Sequence, residues 1–151
     1  PGLATYRIGR NADWTTGELL SQINLTRKSD ETRGAVHFSF KWLQNDLCGV
    51  QRALIDGPYN REALIPVSPW IKAMRPEAPR VAVERARDLV RVSWEERGRI
   101  KAFRFVVYAK DKDGWSYSIL PATERSISLS ANREIEKVVV KSVDRLGNES
   151  R

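Results

Sequence analysis

The order of apolar and polar side chains divides the chain into two parts. In the first, residues 3–8 (Leu3-Ala4-Thr5-Tyr6-Arg7-Ile8) read as a short strand ended by Gly9. Thr15-Thr16-Gly17-Glu18 fits a capping box, with Thr15 as the cap and Glu18 three residues later. Leu19, Leu20, Ile23 and Thr26 then share one helical face, and Arg27 and Lys28 suit the negative C-terminal end. Gly34 opens a second predicted strand over 35–42, where Val36, Phe38 and Phe40 alternate with His37, Ser39 and Lys41. A second helix is expected from about Asp46, with Leu47, Val50 and Leu54 in register and Gly57-Pro58 as its stop. The order β-α-β-α is that of parallel strands joined by helical crossovers.

Pro66, Pro69, Pro76 and Pro79 follow within fifteen residues. Each fixes its own φ and biases its predecessor toward extended backbone, so 66–79 reads as a stiff linker. Beyond it only strand patterns occur, over 80–85, 89–95, 102–110, 117–120, 126–130 and 135–143. Turn signals stand at Arg97-Gly98, Asp113-Gly114 and Leu146-Gly147-Asn148. Val90, Val92 and Trp94 share one face, and short strands at this spacing without helices predict a β-sandwich. The expected fold class is therefore α/β plus all-β, with domains at 1–65 and 80–151 around the linker.

Composition narrows the function. With 151 residues, 30% of them charged and 41% hydrophobic, the chain has room for one medium or two small globular domains. It contains no apolar run of the roughly 18 to 20 residues that span a bilayer, so no transmembrane segment is expected. A single cysteine, Cys48, excludes an internal disulfide framework and a Cys-based zinc cluster. A single histidine, His37, excludes a His-rich metal site, and no glycine-rich phosphate loop is present. Neither a cofactor nor a metal is expected. The net charge of +7 is spread over both halves, with Arg and Lys alternating with Glu and Asp, as in Glu84-Arg85-Ala86-Arg87-Asp88. That pattern describes a solvated mixed surface rather than a nucleic-acid face, so no nucleic-acid partner is expected.

The second part resembles a fibronectin type III-like module in Pro76-x-x-Pro79, Trp94 of the second strand and Tyr108 of the third. Its close, Val143-Asp144-Arg145-Leu146-Gly147-Asn148-Glu149-Ser150, is similar to the last hairpin of such modules in secreted bacterial enzymes. It departs from the family at Val138, where a Tyr is usual. The first part resembles the C-terminal end of the bacterial glycosyl hydrolase-like family 10, through Pro1-Gly2-Leu3-Ala4-Thr5-Tyr6-Arg7, Gly34-Ala35-Val36-His37-Phe38-Ser39 and Ala63-Leu64-Ile65-Pro66-Val67-Ser68-Pro69-Trp70. The resemblance implies a partial (β/α)8-barrel segment joined to a fibronectin type III-like β-sandwich. It also implies an extracytoplasmic protein, lipid-anchored in some members, whose partner is a glycan substrate held by the parent barrel. Two strand–helix units are a quarter of a barrel of roughly 250 residues, so the chain is expected to be a piece of a longer protein. Uncovered strand edges should then favour a homodimer or strand exchange of the isolated piece.

Glycoside hydrolysis needs two carboxyl groups, roughly 5 to 5.5 Å apart for retention or 6.5 to 9.5 Å for inversion. Neither predicted barrel strand ends in Asp or Glu. Asp13, in the loop after the first strand, fits a turn or helix-start role, so no catalytic residue is assigned to this chain. The candidates are substrate-binding: Arg7, Asn11 and Lys41 as hydrogen-bonding groups, His37 as an inward polar group, and Trp14 and Trp42 as stacking surfaces for a pyranose. The alternative has His37 packing in a lower barrel layer and both tryptophans capping the helical shell. Trp115 either packs over the sandwich edge or holds a glycan or a neighbouring domain, which leaves open a non-catalytic carbohydrate- or protein-binding module. Asp111-Lys112-Asp113-Gly114 fits a hairpin turn better than a calcium loop, because no acidic residue follows at the required distance. Cys48, beside Leu47 on the second helix, is expected to be a small buried thiol.

Overall fold

The computed structural model describes residues 1–32, 34–130 and 134–151, which form two compact units, Pro1–Glu62 and Ala63–Arg151.

In the first unit β1 (Gly2–Leu3) and β2 (Val36–His37) pair in parallel, with Gly2 opposite Val36 and Leu3 opposite His37. Helix α1 (Thr16–Lys28) connects them. It begins where the capping box predicts, and the Glu18 N–H donates to Thr15 Oγ1 at 3.1 Å. The reciprocal half of the box is not made, because Glu18 Oε1 accepts from Gln22 Nε2 at 2.8 Å.

Both strands are shorter than their sequence patterns. After Leu3 the chain curls into a 3-10 turn over Thr5–Arg7, closed by Arg7 N to Ala4 O (3.0 Å) and Ile8 N to Thr5 O (3.2 Å). A strand persists only as far as its ladder partner, so beyond Phe38 the second segment turns helical as α2 (Phe40–Gln44). Lys41 and Trp42 therefore sit on a helix, not on a strand. Helix α3 (Val50–Asp56) starts four residues later than expected, because Asp46, Cys48 and Gly49 all adopt left-handed backbone. Asp46 Oδ1 accepts from Gln51 N at 2.7 Å and caps the helix across that break. Cys48 consequently lies on the approach to α3 and is exposed, contrary to the expected buried thiol.

Leu3, Ile8, Leu19, Ile23, Val50 and Leu54 close the core of this unit. Val36, Phe38 and Phe40, which alternate as one strand face in the sequence, lie outside this core. These three are 70%, 67% and 72% exposed.

The second unit is all-β. Strands β3 (Arg80–Arg85), β4 (Leu89–Glu95) and β7 (Ser126–Ser130) form one antiparallel sheet in the order β3-β4-β7. Strands β5 (Arg104–Asp111), β6 (Gly114–Pro121) and β8 (Lys137–Val143) form the other, in the order β6-β5-β8. Val90, Val92 and Trp94 from the first sheet share one core with Phe105, Val107, Ala109 and Val140 from the second, consistent with a β-sandwich. All six expected strands are present. Strand β6 is longer than its pattern because the two-residue Lys112-Asp113 turn lets pairing begin at Asp111 opposite Gly114, and Asp113 N donates to Asp111 Oδ1 at 3.0 Å.

The proline-rich stretch belongs to this unit. Ser68 N donates to Leu146 O at 3.2 Å, and a side chain at Gly147 (φ +78°) would lie 2.6 Å from Ile65 O, so the close approach requires glycine there. The turn beneath it is held by the buried Asp144 carboxylate, which accepts from Leu146 N (2.8 Å), Asn148 N (2.9 Å) and Asn148 Nδ2 (2.9 Å).

Strand β3 is exposed along its whole length. Val83 stands opposite Val92, on the core side of its sheet, yet remains 45% exposed, whereas Val92 has no exposed surface. Val92→Ala should therefore cost about 2 to 3 kcal/mol in urea unfolding, and Val83→Ala less than about 1 kcal/mol. Equal losses at the two positions would contradict this burial difference.

Candidate functional site

The loops that follow β1 and β2 bring most of the candidate residues together. After the 3-10 turn, Gly9 N donates to Trp14 O (3.2 Å) and Trp14 N donates to Asn11 Oδ1 (3.1 Å). This closes residues 9–14 into an Asx-type turn. The fold sets the Arg7 guanidinium 5.1 Å from the Trp14 ring centroid and 5.9 Å from that of Tyr6. Arg7, Asn11 and Trp14 are thus one cluster. Asn11 spends its carbonyl on the loop and has its NH2 group for other partners.

Lys41 and Trp42 form a second cluster on α2. The Lys41 ammonium lies 5.9 Å from the Trp42 centroid and the Arg10 guanidinium 4.7 Å from it. Arg10 thereby ties the loop after β1 to α2. Sequence reasoning missed it, and its one signal was its place directly after Gly9. Exposed cation–ring contacts of this kind are worth about 0.5 to 1 kcal/mol. They orient the rings, and a sugar face could displace them at small cost.

His37 has a different set of partners. Its Nδ1 is 3.0 Å from Thr5 Oγ1, and its Nε2 is 2.8 Å from the Tyr59 hydroxyl. Thr5 Oγ1 donates to Leu3 O at 3.4 Å. The order that satisfies each group is Tyr59 O–H donating to Nε2 of a neutral imidazole, Nδ1–H donating to Thr5, and Thr5 donating to Leu3. Burial lowers the His37 pKa from its ordinary 6.5. Burial raises that of Tyr59, against the opposing pull of Arg27, whose guanidinium is 5.5 Å from the ring. Thr5 is buried and Tyr59 half-exposed, so the chain runs from the core to the surface. Tyr59 carried no functional signal in the sequence. With both ring nitrogens engaged, His37 can meet a ligand only by exchanging Tyr59.

Two carboxylates lie in these loops. Asp46 is occupied in capping α3, and Asp13 is exposed in the turn before Trp14. Among the described residues, no group of three or more His, Cys, Asp and Glu side chains could hold a metal ion, and no helix is long and apolar enough to cross a membrane.

Because His37 is the only histidine, its imidazole gives a single NMR titration. The midpoint should fall below 6.5, and Tyr59→Phe should shift it. A histidine with a lowered folded pKa is charged more readily in the unfolded state, so its contribution to stability is complete above pH 6.5 and is lost as the pH falls below it. His37→Gln should accordingly flatten the acid limb of the stability curve between pH 6.5 and the folded midpoint. A titration midpoint at or above 6.5 would rule out this arrangement.

Over 83 residues the chain is 34% identical to the glycosyl hydrolase YngK of Bacillus subtilis (strain 168), a match covering 53% of this chain and 16% of that protein. The chain thus spans about a sixth of the length of the curated relative it matches. No family model matches it. The similarity supports a glycosyl hydrolase-like relationship for a chain whose loops gather aromatic rings and cations on one short parallel sheet.

Proposed function

We propose that the chain is a C-terminal portion of a secreted glycoside hydrolase of the glycosyl hydrolase-like family 10 type, acting on a polysaccharide or cell-wall glycan outside the cytoplasm. On this reading the first unit is two strand–helix units of a (β/α)8 barrel, and the second is a fibronectin type III-like module. The observation that carries the proposal is the 34% identity to a glycosyl hydrolase. The parallel pairing of β1 and β2 across α1 supports the barrel part, since parallel strands joined by a helix are its repeating unit. The two three-stranded antiparallel sheets support the sandwich part.

The chemistry would be cleavage by a carboxylic acid and a carboxylate. Asp46 is committed to its helix cap and Asp13 to an exposed loop, so the acid–base pair is assigned to other strands of the parent barrel. This chain supplies the binding wall. Trp14 and Trp42 present ring faces to the apolar side of a pyranose, and Arg7, Asn11 and Lys41 offer N–H donors to its hydroxyls. His37 stands behind them, its ring held by Thr5 and Tyr59.

The division of labour is tested by assaying residues 1–151 alone and the parent protein on a panel of bacterial and plant polysaccharides. The parent should hydrolyse a member of the panel and the isolated chain should not. In the parent, Trp14→Ala or Trp42→Ala should raise KM about tenfold, equivalent to roughly 1.4 kcal/mol of lost binding. Turnover by residues 1–151 alone would refute the assignment of the carboxylates, and unchanged KM in both variants would refute that of the tryptophans.

A further inference from the structure

The outer face of the β6-β5-β8 sheet carries a row of exposed aromatic rings. Alternate residues of a strand share a face, and the cross-strand register places Trp115 opposite Lys110, Tyr117 opposite Tyr108 and Ile119 opposite Val106. The inward residues of β5, Phe105, Val107 and Ala109, fill the core, so these pairs face outward. Trp115 is 52% exposed and Tyr117 40% exposed, two residues apart and hence about 6.8 Å apart along β6. Tyr108 and Tyr117 are 6.4 Å apart between centroids, their planes inclined by 50°.

This aromatic row opens into a cavity of about 200 Å³ lined by Ala63, Leu64, Val106, Tyr108, Tyr117 and Ile119. Its walls combine four aliphatic side chains with the Tyr108 and Tyr117 rings, and the Tyr108 hydroxyl lies 3.3 Å from each oxygen of Glu149. Lys141 Nζ is 3.6 Å from the same carboxylate. The arrangement is a shelf of ring faces, an apolar recess beside it, and a paired carboxylate and ammonium at its rim.

We infer that this face binds an N-acetylated hexosamine glycan, with Trp115 and Tyr117 stacking on successive sugars and the recess taking an acetamido methyl group. A pyranose has an apolar face and a rim of hydroxyls, which matches ring faces bordered by a carboxylate and an ammonium. The recess is smaller than the roughly 300 to 1,000 Å³ of sites for larger ligands, which suits one sugar or its substituent. Lys110 pairs with Glu136 at 2.7 Å and Lys141 with Glu149 at 3.6 Å, while Lys137, opposite Lys110, and Arg104 also stand on this face. The choice of a glycan rests on the hydrolase-related reading. The two are nonetheless separable, because that reading is tested by turnover in the parent and this one by binding to the sandwich.

The test titrates tetra-N-acetylchitotetraose into residues 1–151, read by calorimetry and by amide NMR shifts, with cellotetraose as the non-acetylated control. Saturable binding is expected, with shifts confined to β5, β6 and the Leu64 segment and at least fivefold weaker binding of cellotetraose. Trp115→Ala and Tyr117→Ala should each weaken binding about tenfold and Trp115→Phe should restore most of it, with the amide spectrum showing each variant folded. Leu64→Asn should reduce the preference for the acetylated ligand. Absence of binding by both oligosaccharides, unchanged affinity in Trp115→Ala, or shifts confined to the first unit would overturn the inference. Equal affinity for the two ligands would overturn the acetamido assignment, and a surface that captures only a protein partner would overturn the glycan.

Discussion

Phe105 has no exposed surface, because Trp94 lies against it at 5.6 Å between centroids and branched side chains of both sheets close around it. The rest of the second unit follows from that burial. A strand alternates faces, so fixing Phe105 inward also fixes Val107 and Ala109 inward and sends Val106, Tyr108 and Lys110 outward. A one-residue slip would put Tyr108 and Lys110 into the core, a penalty large enough to specify the register. The outer aromatic face is therefore set by the core rather than by any contact of its own. The same logic explains why Val106, although outward, is buried: Leu64, in the extended segment anchored on the Leu146 turn, lines the recess above it.

The first unit follows a different rule. Its sheet is two residues wide in each strand, too small to specify much by alternation, and its order comes from loops and caps. The 3-10 turn after Leu3 shortens β1, and that shortening releases residues 39–44 into a helix instead of a strand. Left-handed backbone at Asp46, Cys48 and Gly49 then delays α3 and leaves Asp46 as its cap. These local decisions place Trp14 and Trp42 where Arg7 and Arg10 can lie over them. Loops built this way depend on hydrogen bonds within themselves, so their side chains can adjust more easily than those on the sandwich.

The sandwich was largely legible in the sequence because its period-2 alternation is long: each of Leu89–Glu95, Arg104–Asp111 and Lys137–Val143 carries at least seven residues of pattern. Helix α1 was legible through Thr15 and Glu18, whose spacing encodes a backbone contact directly. The second segment misled because Val36, Phe38 and Phe40 alternate as in a strand, while pairing is decided by the neighbour, and β1 ends at Leu3. Cys48 misled for a related reason, since helical periodicity cannot register a left-handed residue that displaces the helix start. Among the candidate site residues, Arg7, Asn11 and Trp14 are near neighbours in sequence and fold together. The links from Arg10 to Trp42 and from His37 to Tyr59 cross loops whose closure no local pattern encodes.

The basic excess gains a physical reading from these contacts. Arg7, Arg10, Arg27, Arg104, Arg125 and Arg145 all lie over aromatic rings, at 4.5 to 5.9 Å from the centroids. A guanidinium placed this way covers apolar ring surface while its N–H groups stay in water, so it contributes packing as well as charge. Much of the +7 surplus is thus distributed over ring faces instead of forming the continuous stripe that a polyanion needs. The two aromatic surfaces differ accordingly. In the first unit cations cover the Trp14 and Trp42 rings. On the sandwich the half-open Trp115 ring stands opposite Lys110, which is paired with Glu136.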